Sequence, residues 1–89
     1  MHRIIDAKAL EPLKVWLRFT NDREGVVDLA DVFCSGGVFD RLRDPAEFAK
    51  VQVAREFGTV EWPGDVDLDP DVLYSRLTGL SIEEVFRES

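Results

Sequence analysis

The stretch Leu13-Lys14-Val15-Trp16-Leu17-Arg18-Phe19 decides the architecture. Leu13, Val15, Leu17 and Phe19 take alternate positions, with Lys14, Trp16 and Arg18 between them. Side chains of a strand point to opposite faces in turn, so this period of two predicts a strand with one buried face. Working outward, residues 3–10 also read as extended, and Glu11-Pro12 supplies a short break. On the other side Asn21-Asp22 marks a turn, and Gly25-Val26-Val27-Asp28-Leu29 reads as a third strand. Three short strands with tight connections predict an antiparallel meander.

The middle of the chain changes period. Gly36-Gly37 is a breaker pair, after which Val38, Phe39 and Leu42 fall on one face of a helical turn. Asp44-Pro45 restarts the chain as N-cap and first helical residue, with Phe48 aimed at the core. Val51 and Val53, then Val60 and Trp62, predict a second hairpin across Arg55-Glu56-Phe57-Gly58, ended by Trp62-Pro63-Gly64. Asp69-Pro70-Asp71 repeats the cap logic and opens a helix over residues 70–77 that stops at Gly79. Ser81-Ile82-Glu83-Glu84 is a capping box that opens a last short helix, about residues 81–87. The expected fold class is α+β: a three-strand meander plus a hairpin, with two to four short helices.

With 89 residues, one domain over 1–89 is the expectation. A chain of this size buries only roughly 60–65 % of its unfolded surface, so a shallow groove or flat surface is expected rather than a deep cavity. The apolar content of 45 % and charged content of 33 % argue for a folded domain rather than a disordered one. The net charge of −7 repels phosphate backbones, so direct nucleic-acid binding is not expected. Up to Phe19 the chain is nevertheless mildly basic. No apolar run approaches the roughly 20 residues that span a bilayer. The opening Met1-His2-Arg3-Ile4-Ile5-Asp6 reaches an acid before a signal sequence could form, so the cytoplasm is the expected location.

The chemistry-bearing residues are sparse. Cys34 is the only cysteine, which rules out an intramolecular disulfide and a cysteine metal cluster. As a nucleophile it needs a base, and the only histidine, His2, is expected at a frayed terminus. Serine catalysis fails for the same reason, and Gly36-Gly37 lacks the lysine of a phosphate-binding loop. The run Asp65, Asp67, Asp69, Asp71 has the spacing of oxygen ligands for calcium. However, Pro70 stands where that loop needs glycine, and Arg76 where it needs a bidentate glutamate. Capping already accounts for Asp69 and Asp71. No catalytic, cofactor-binding or metal site is therefore expected, no cofactor is implied, and the chain is not expected to be an enzyme.

The candidate interaction face is Lys14, Trp16 and Arg18. The core claims the opposite side of their strand, so Trp16 points away from it between two cations, the composition enriched at protein interfaces. The competing reading is that short helices cover this face and Trp16 is a second core residue. Trp62, on the side of Val60, is expected in the core.

Asp28-Leu29, Gly37-Val38-Phe39, Leu42, Asp44-Pro45 and Phe48 follow one another in the order of a known pattern. Gly58-Thr59-Val60-Glu61-Trp62-Pro63 and Asp67-Leu68-Asp69-Pro70-Asp71-Val72-Leu73-Tyr74 complete it. On these motifs the chain resembles the prokaryotic family called domain of unknown function 2442 (DUF2442), over about residues 4–74. It departs at Gly64-Asp65, where an asparagine-glycine turn is commoner, and this touches only turn detail. The resemblance implies a compact α+β fold, standing alone or placed before a helix-turn-helix domain. It also implies pairing in operons with a second small family, DUF4160, in a toxin–antitoxin-like arrangement, and it carries over no catalytic residues. Gly79-Leu80-Ser81-Ile82-Glu83-Glu84-Val85 is faintly like the opening of a helix-turn-helix unit; the sequence stops at Ser89, before a recognition helix, so this reading lapses for a complete protein and returns for a fragment.

The function expected is a small protein–protein interaction module, the regulatory or antitoxin-like partner of a second small protein, for which the resemblance implies the DUF4160 family. The alternatives are an accessory domain of a nucleic-acid-linked transcriptional regulator and a small ligand-binding domain.

Overall fold

The computed structural model describes residues 2–33, 37–64 and 66–88. Cys34 and Asp65, weighed above as nucleophile and cation ligand, lie outside the described residues. Three strands, β1 (Ile4–Leu10), β2 (Lys14–Phe19) and β3 (Glu24–Asp28), form an antiparallel sheet in the order β1-β2-β3. Helix α1 (Ala30–Phe33), a 3-10 helix (Gly37–Arg43) and α2 (Pro45–Phe48) follow. A second antiparallel sheet is built from β4 (Gln52–Ala54), β5 (Thr59–Trp62) and β6 (Val66–Leu68). Helices α3 (Pro70–Thr78) and α4 (Ile82–Glu88) complete the described chain.

The α+β class stands, and the second sheet has one strand more than the hairpin read from the sequence. Pro63 and Gly64 form a turn rather than a stop, and β6 folds back so that Trp62 faces Val66 and Val60 faces Leu68. Proline can be accommodated there because it sits between strands, where no ladder hydrogen bond is needed.

The meander reads as its alternation requires. Val15, Leu17 and Phe19 are fully buried, Arg18 is exposed, and Lys14 and Trp16 are half-buried. β1 holds an irregularity: Ile4 pairs with Phe19, but Asp6 already pairs with Arg18. The extra residue, Ile5, is pushed out to 46 % exposure, and the parity of β1 switches across it. Ile4 thereby joins the buried face that Ala7 and Ala9 share further along the strand.

The two sheets meet at the start of β1. The Ile4 amide donates to the Gly58 carbonyl at 2.8 Å. The Arg3 guanidinium donates to the carbonyls of Arg55 (2.7 Å) and Glu56 (3.2 Å). Gly58 is buried in this junction at φ +68°, and a Cβ there would lie 2.9 Å from that of Arg3.

Between the sheets lies an aromatic core. Trp62 meets Phe33 edge-on at 5.3 Å, stacks on Phe48 at 5.6 Å, and donates its indole N–H to the Phe48 carbonyl at 2.9 Å. Tyr74 of α3 meets Phe19 edge-on at 5.0 Å and accepts a hydrogen bond from Asn21 at 2.9 Å. His2, expected to fray, is instead buried: it stacks on Tyr74 at 3.8 Å, with Nδ1 3.4 Å from an Asp71 oxygen. The aromatic face and the carboxylate of α3 hold it, a tertiary contact that its place near the chain start conceals.

The caps are where the sequence puts them. Asp44 accepts from the Ala46 amide at 3.0 Å and Asp69 from the Asp71 amide at 2.8 Å. Ser81 and Glu84 exchange reciprocal bonds at 3.0 and 3.2 Å, and acceptance from Ser81 holds the Glu84 carboxyl below its ordinary value. Arg76 pins α3 to α1 through two bonds to Asp31 at 2.8 and 3.0 Å. Those bonds lower the Asp31 carboxyl below its ordinary value. A lowered folded value means that this contribution is present above the unfolded Asp range and is lost as pH falls through the folded value.

Asp69→Ala is expected to destabilise the domain by about 1 kcal/mol, the usual effect of losing an N-cap acceptor. Thermal melts with and without calcium check the alternative reading of this segment. Addition of calcium should leave the melting temperature unchanged, and a calcium-dependent rise of several degrees would make the acidic run a cation site.

Candidate interaction face

The outer face of the first sheet follows from the register. Leu10, Lys14 and Asp28 form one cross-strand row; Lys8, Trp16 and Val26 form the next; Asp6, Arg18 and Glu24 form the third. The structure thus brings Lys14, Trp16 and Arg18 together as the central column of this face. Around them it gathers Lys8 and Val26, which the sequence reading did not single out. Val26 belongs to an apolar pair, Val26-Val27, and only the register shows which of the two turns outward: Val27 is 3 % exposed and Val26 is 52 % exposed. Lys8 could not be placed without the irregularity at Ile5, which sets the parity of β1.

Helix α3 packs on the other side of the sheet, where Leu77 sits within 3.5 Å of the position a Gly25 Cβ would take. Gly25 and Leu17 share that inner face, so α3 does not cover Trp16. The two tryptophans differ accordingly. Trp62 is 1 % exposed and its N–H is bonded. The half-buried Trp16 makes no side-chain hydrogen bond or aromatic contact among the described residues.

The electrostatics of the face differ from those of the chain. Its three cations, Lys8, Lys14 and Arg18, balance its three carboxylates, Asp6, Glu24 and Asp28, in a protein of net charge −7. Arg18 is already engaged, 3.6 Å from Asp22 and 3.8 Å from Glu24, in exposed pairs of small energetic value. Lys14 and Lys8 make no ion pair among the described residues. The face can therefore offer an aromatic plate, an apolar neighbour and two unengaged cations to an approaching surface.

For the other candidates, no group of three or more metal-ligating side chains forms among the described residues. Asp67 lies in β6, Asp69 caps α3 and Asp71 approaches His2. No described helix is long and apolar enough to cross a membrane.

Two three-stranded antiparallel sheets around an aromatic core, with short capped helices between and after them, define a small α+β domain with one mixed-charge sheet face. The chain belongs to the family described as Protein of unknown function (DUF2442), whose model matches residues 4–79. Its fold is also that of a crystal structure from Nitrosomonas europaea, "Putative DNA Binding Protein NE0471", with a TM-score of 0.80 at 24 % identity. That similarity covers 89 % of this chain and 50 % of the other, so the chain spans half the length of its structural relative. A comparison with curated proteins returns no match.

Proposed function

We propose that this domain is a protein–protein interaction module that docks a small partner protein on the outer face of its first sheet. The observation that carries the reading is Trp16: a large aromatic at the centre of that face, flanked in its row by Lys8 and Val26, with its indole N–H unbonded. Buried tryptophans find a partner for that N–H, as Trp62 does, whereas interface tryptophans keep one end available. The partner surface that fits is acidic or mixed in charge, with an apolar seat for the indole. Lys8 and Lys14 would steer the encounter, and Trp16 would be desolvated at the centre. The operon pairing that the family resemblance implies supports a regulatory or antitoxin-like role in the cytoplasm toward a small neighbour of the DUF4160 family. The reading assigns no enzymatic role, because the sequence offers Cys34 and the serines no base other than His2.

A second reading has one observation in its favour. The fold recurs in half of a longer protein named for DNA binding, which fits an accessory domain of a nucleic-acid-linked regulator. The net charge of −7 repels phosphate backbones and weighs against direct phosphate contact by this domain.

The test is copurification from the native host, wild type beside Trp16→Ala, followed by titration of the partner so identified. Trp16→Ala should weaken binding by at least about 2 kcal/mol, as hot-spot truncations do. In a denaturation curve the same variant should lose about 1 kcal/mol or less, since the residue is only half-buried. A stability loss of roughly 3–5 kcal/mol, the mark of a core aromatic, with unchanged partner affinity would place the interface elsewhere.

A further inference from the structure

A second surface lies at the far end of β1. The turn at residues 11–13, α2 and the end of the 3-10 helix enclose a cleft of about 390 Å3. Its walls are apolar, built from Pro12, Leu13, Pro45 and Phe48, with Glu11 and Arg43 as the charged lining residues. That volume falls in the range of about 300–1,000 Å3 that holds a ligand or a large side chain.

The same chain carries a side chain that matches it. Phe57, on the turn between β4 and β5, is 67 % exposed and has no ring contact among the described residues. The turn is fixed rather than loose: the amides of Phe57 and Gly58 both donate to the Ala54 carbonyl, at 3.0 and 2.8 Å. Arg3 grips the two carbonyls before Phe57. An aromatic displayed on a braced turn needs little further ordering to bind, which is what an interface anchor requires. Its neighbours in sequence, Arg55 and Glu56, bear the charges complementary to Glu11 and Arg43. Of these four, only Arg43 is ion-paired among the described residues, with Asp40 at 2.8 Å, an exposed i,i+3 contact that exchanges readily.

The braced turn is tied to the first residues of β1 and the cleft begins at Ala9. At the rise of a strand these points stand about 17 Å apart, so a chain cannot reach its own cleft. We infer that Phe57 of one copy seats in the Pro12, Pro45 and Phe48 cleft of a second copy, with Arg55 facing Glu11 and Glu56 facing Arg43. Such a contact joins unlike surfaces, so it propagates head to tail into a chain or ring instead of closing as a symmetric dimer. It shares only Leu10 with the Trp16 face, leaves the Lys8, Trp16 and Val26 row free, and stands independently of the function proposed for that face.

Sedimentation velocity on the full chain over a concentration series, at about 0.15 M salt to screen the net charge, tests this. The mean mass of the wild type should rise with concentration. Phe57→Ser, which removes the anchor, and Ala49→Trp, which fills the cleft, should each weaken association by at least about thirtyfold. Mixing the two variants is the decisive arm. Phe57→Ser keeps an intact cleft and Ala49→Trp an intact turn, so together they should form a one-to-one dimer that grows no further. A wild type that stays monomeric up to about 1 mM, a Phe57→Ser variant that associates like wild type, or a mixture that does not pair would each overturn the inference. Should Ala49→Trp fail to fold, Glu11→Arg mixed with Arg55→Glu replaces it: each alone should weaken association, and the mixture should restore it.

Discussion

Trp62→Ala is expected to destabilise the domain by about 3–5 kcal/mol, the largest effect of any single substitution considered, read from the shift in a urea unfolding curve. The indole joins the second sheet to α1 and α2, because its ring meets Phe33 and Phe48 and its N–H bonds the Phe48 carbonyl. Truncation opens a cavity in the aromatic core and orphans that carbonyl together. Domains of this size have only about 5–15 kcal/mol of stability to lose, so the variant should be partly unfolded at physiological temperature. Trp62→Phe separates the two contributions. It keeps an aromatic against Phe33 and Phe48 while removing the N–H donor, and should lose about 1–3 kcal/mol. A loss below about 1 kcal/mol for Trp62→Ala would mean that the second sheet is not held to α1 and α2 through this ring.

Gly58→Ala should follow, at about 2–5 kcal/mol, from two sources that can be measured apart. Its φ of +68° penalises any L side chain by about 1–2 kcal/mol. The added Cβ would also stand 2.9 Å from the Arg3 Cβ and 3.2 Å from its Cα, in a junction that closes through the Ile4 amide. Overpacking of this kind adds about 1–3 kcal/mol. Gly79→Ala is the control. Gly79 has φ +80° at the end of α3, but a Cβ there meets nothing within 4 Å, so only the backbone penalty of about 1–2 kcal/mol applies. Equal losses at the two glycines would show that the Arg3 contact yields easily and that the sheets are not locked at this point.

What could be read from the sequence was what the chain settles locally. The alternation from Leu13 to Phe19 contains β2, its buried face and the outward direction of Lys14, Trp16 and Arg18. Asp44-Pro45, Asp69-Pro70 and the Ser81 to Glu84 box contain three helix starts, because a cap is made by residues two or three positions apart. Features set by distant contacts were not readable. β6 has three residues, Val66, Asp67 and Leu68, too few to display a period, and it exists because β5 offers it an edge. The parity change at Ile5 shows only in the pairing of β1 with β2, so Lys8 could not be placed on the interaction face beforehand. His2 is held by Tyr74 and Asp71, which lie some seventy positions away in sequence. The core side of Trp62 was legible from its strand, whereas the surroundings of Trp16 depended on where α3 packs.

The proposed docking requires Trp16 to be available to a partner while Trp62 is not, and hydrogen exchange of the two indole N–H groups measures that difference directly. A proton–nitrogen correlation spectrum of the labelled domain should show two indole signals, assigned with a Trp16→Phe variant. On transfer to heavy water the Trp62 signal should persist, because its N–H is buried and bonded to the Phe48 carbonyl, opening only with the core. The Trp16 signal should vanish within the dead time in the isolated domain, and become protected and shifted when the partner is added. If instead both indoles are protected in the isolated domain, or Trp16 is unmoved by a bound partner, the outer face of the first sheet is not the binding surface.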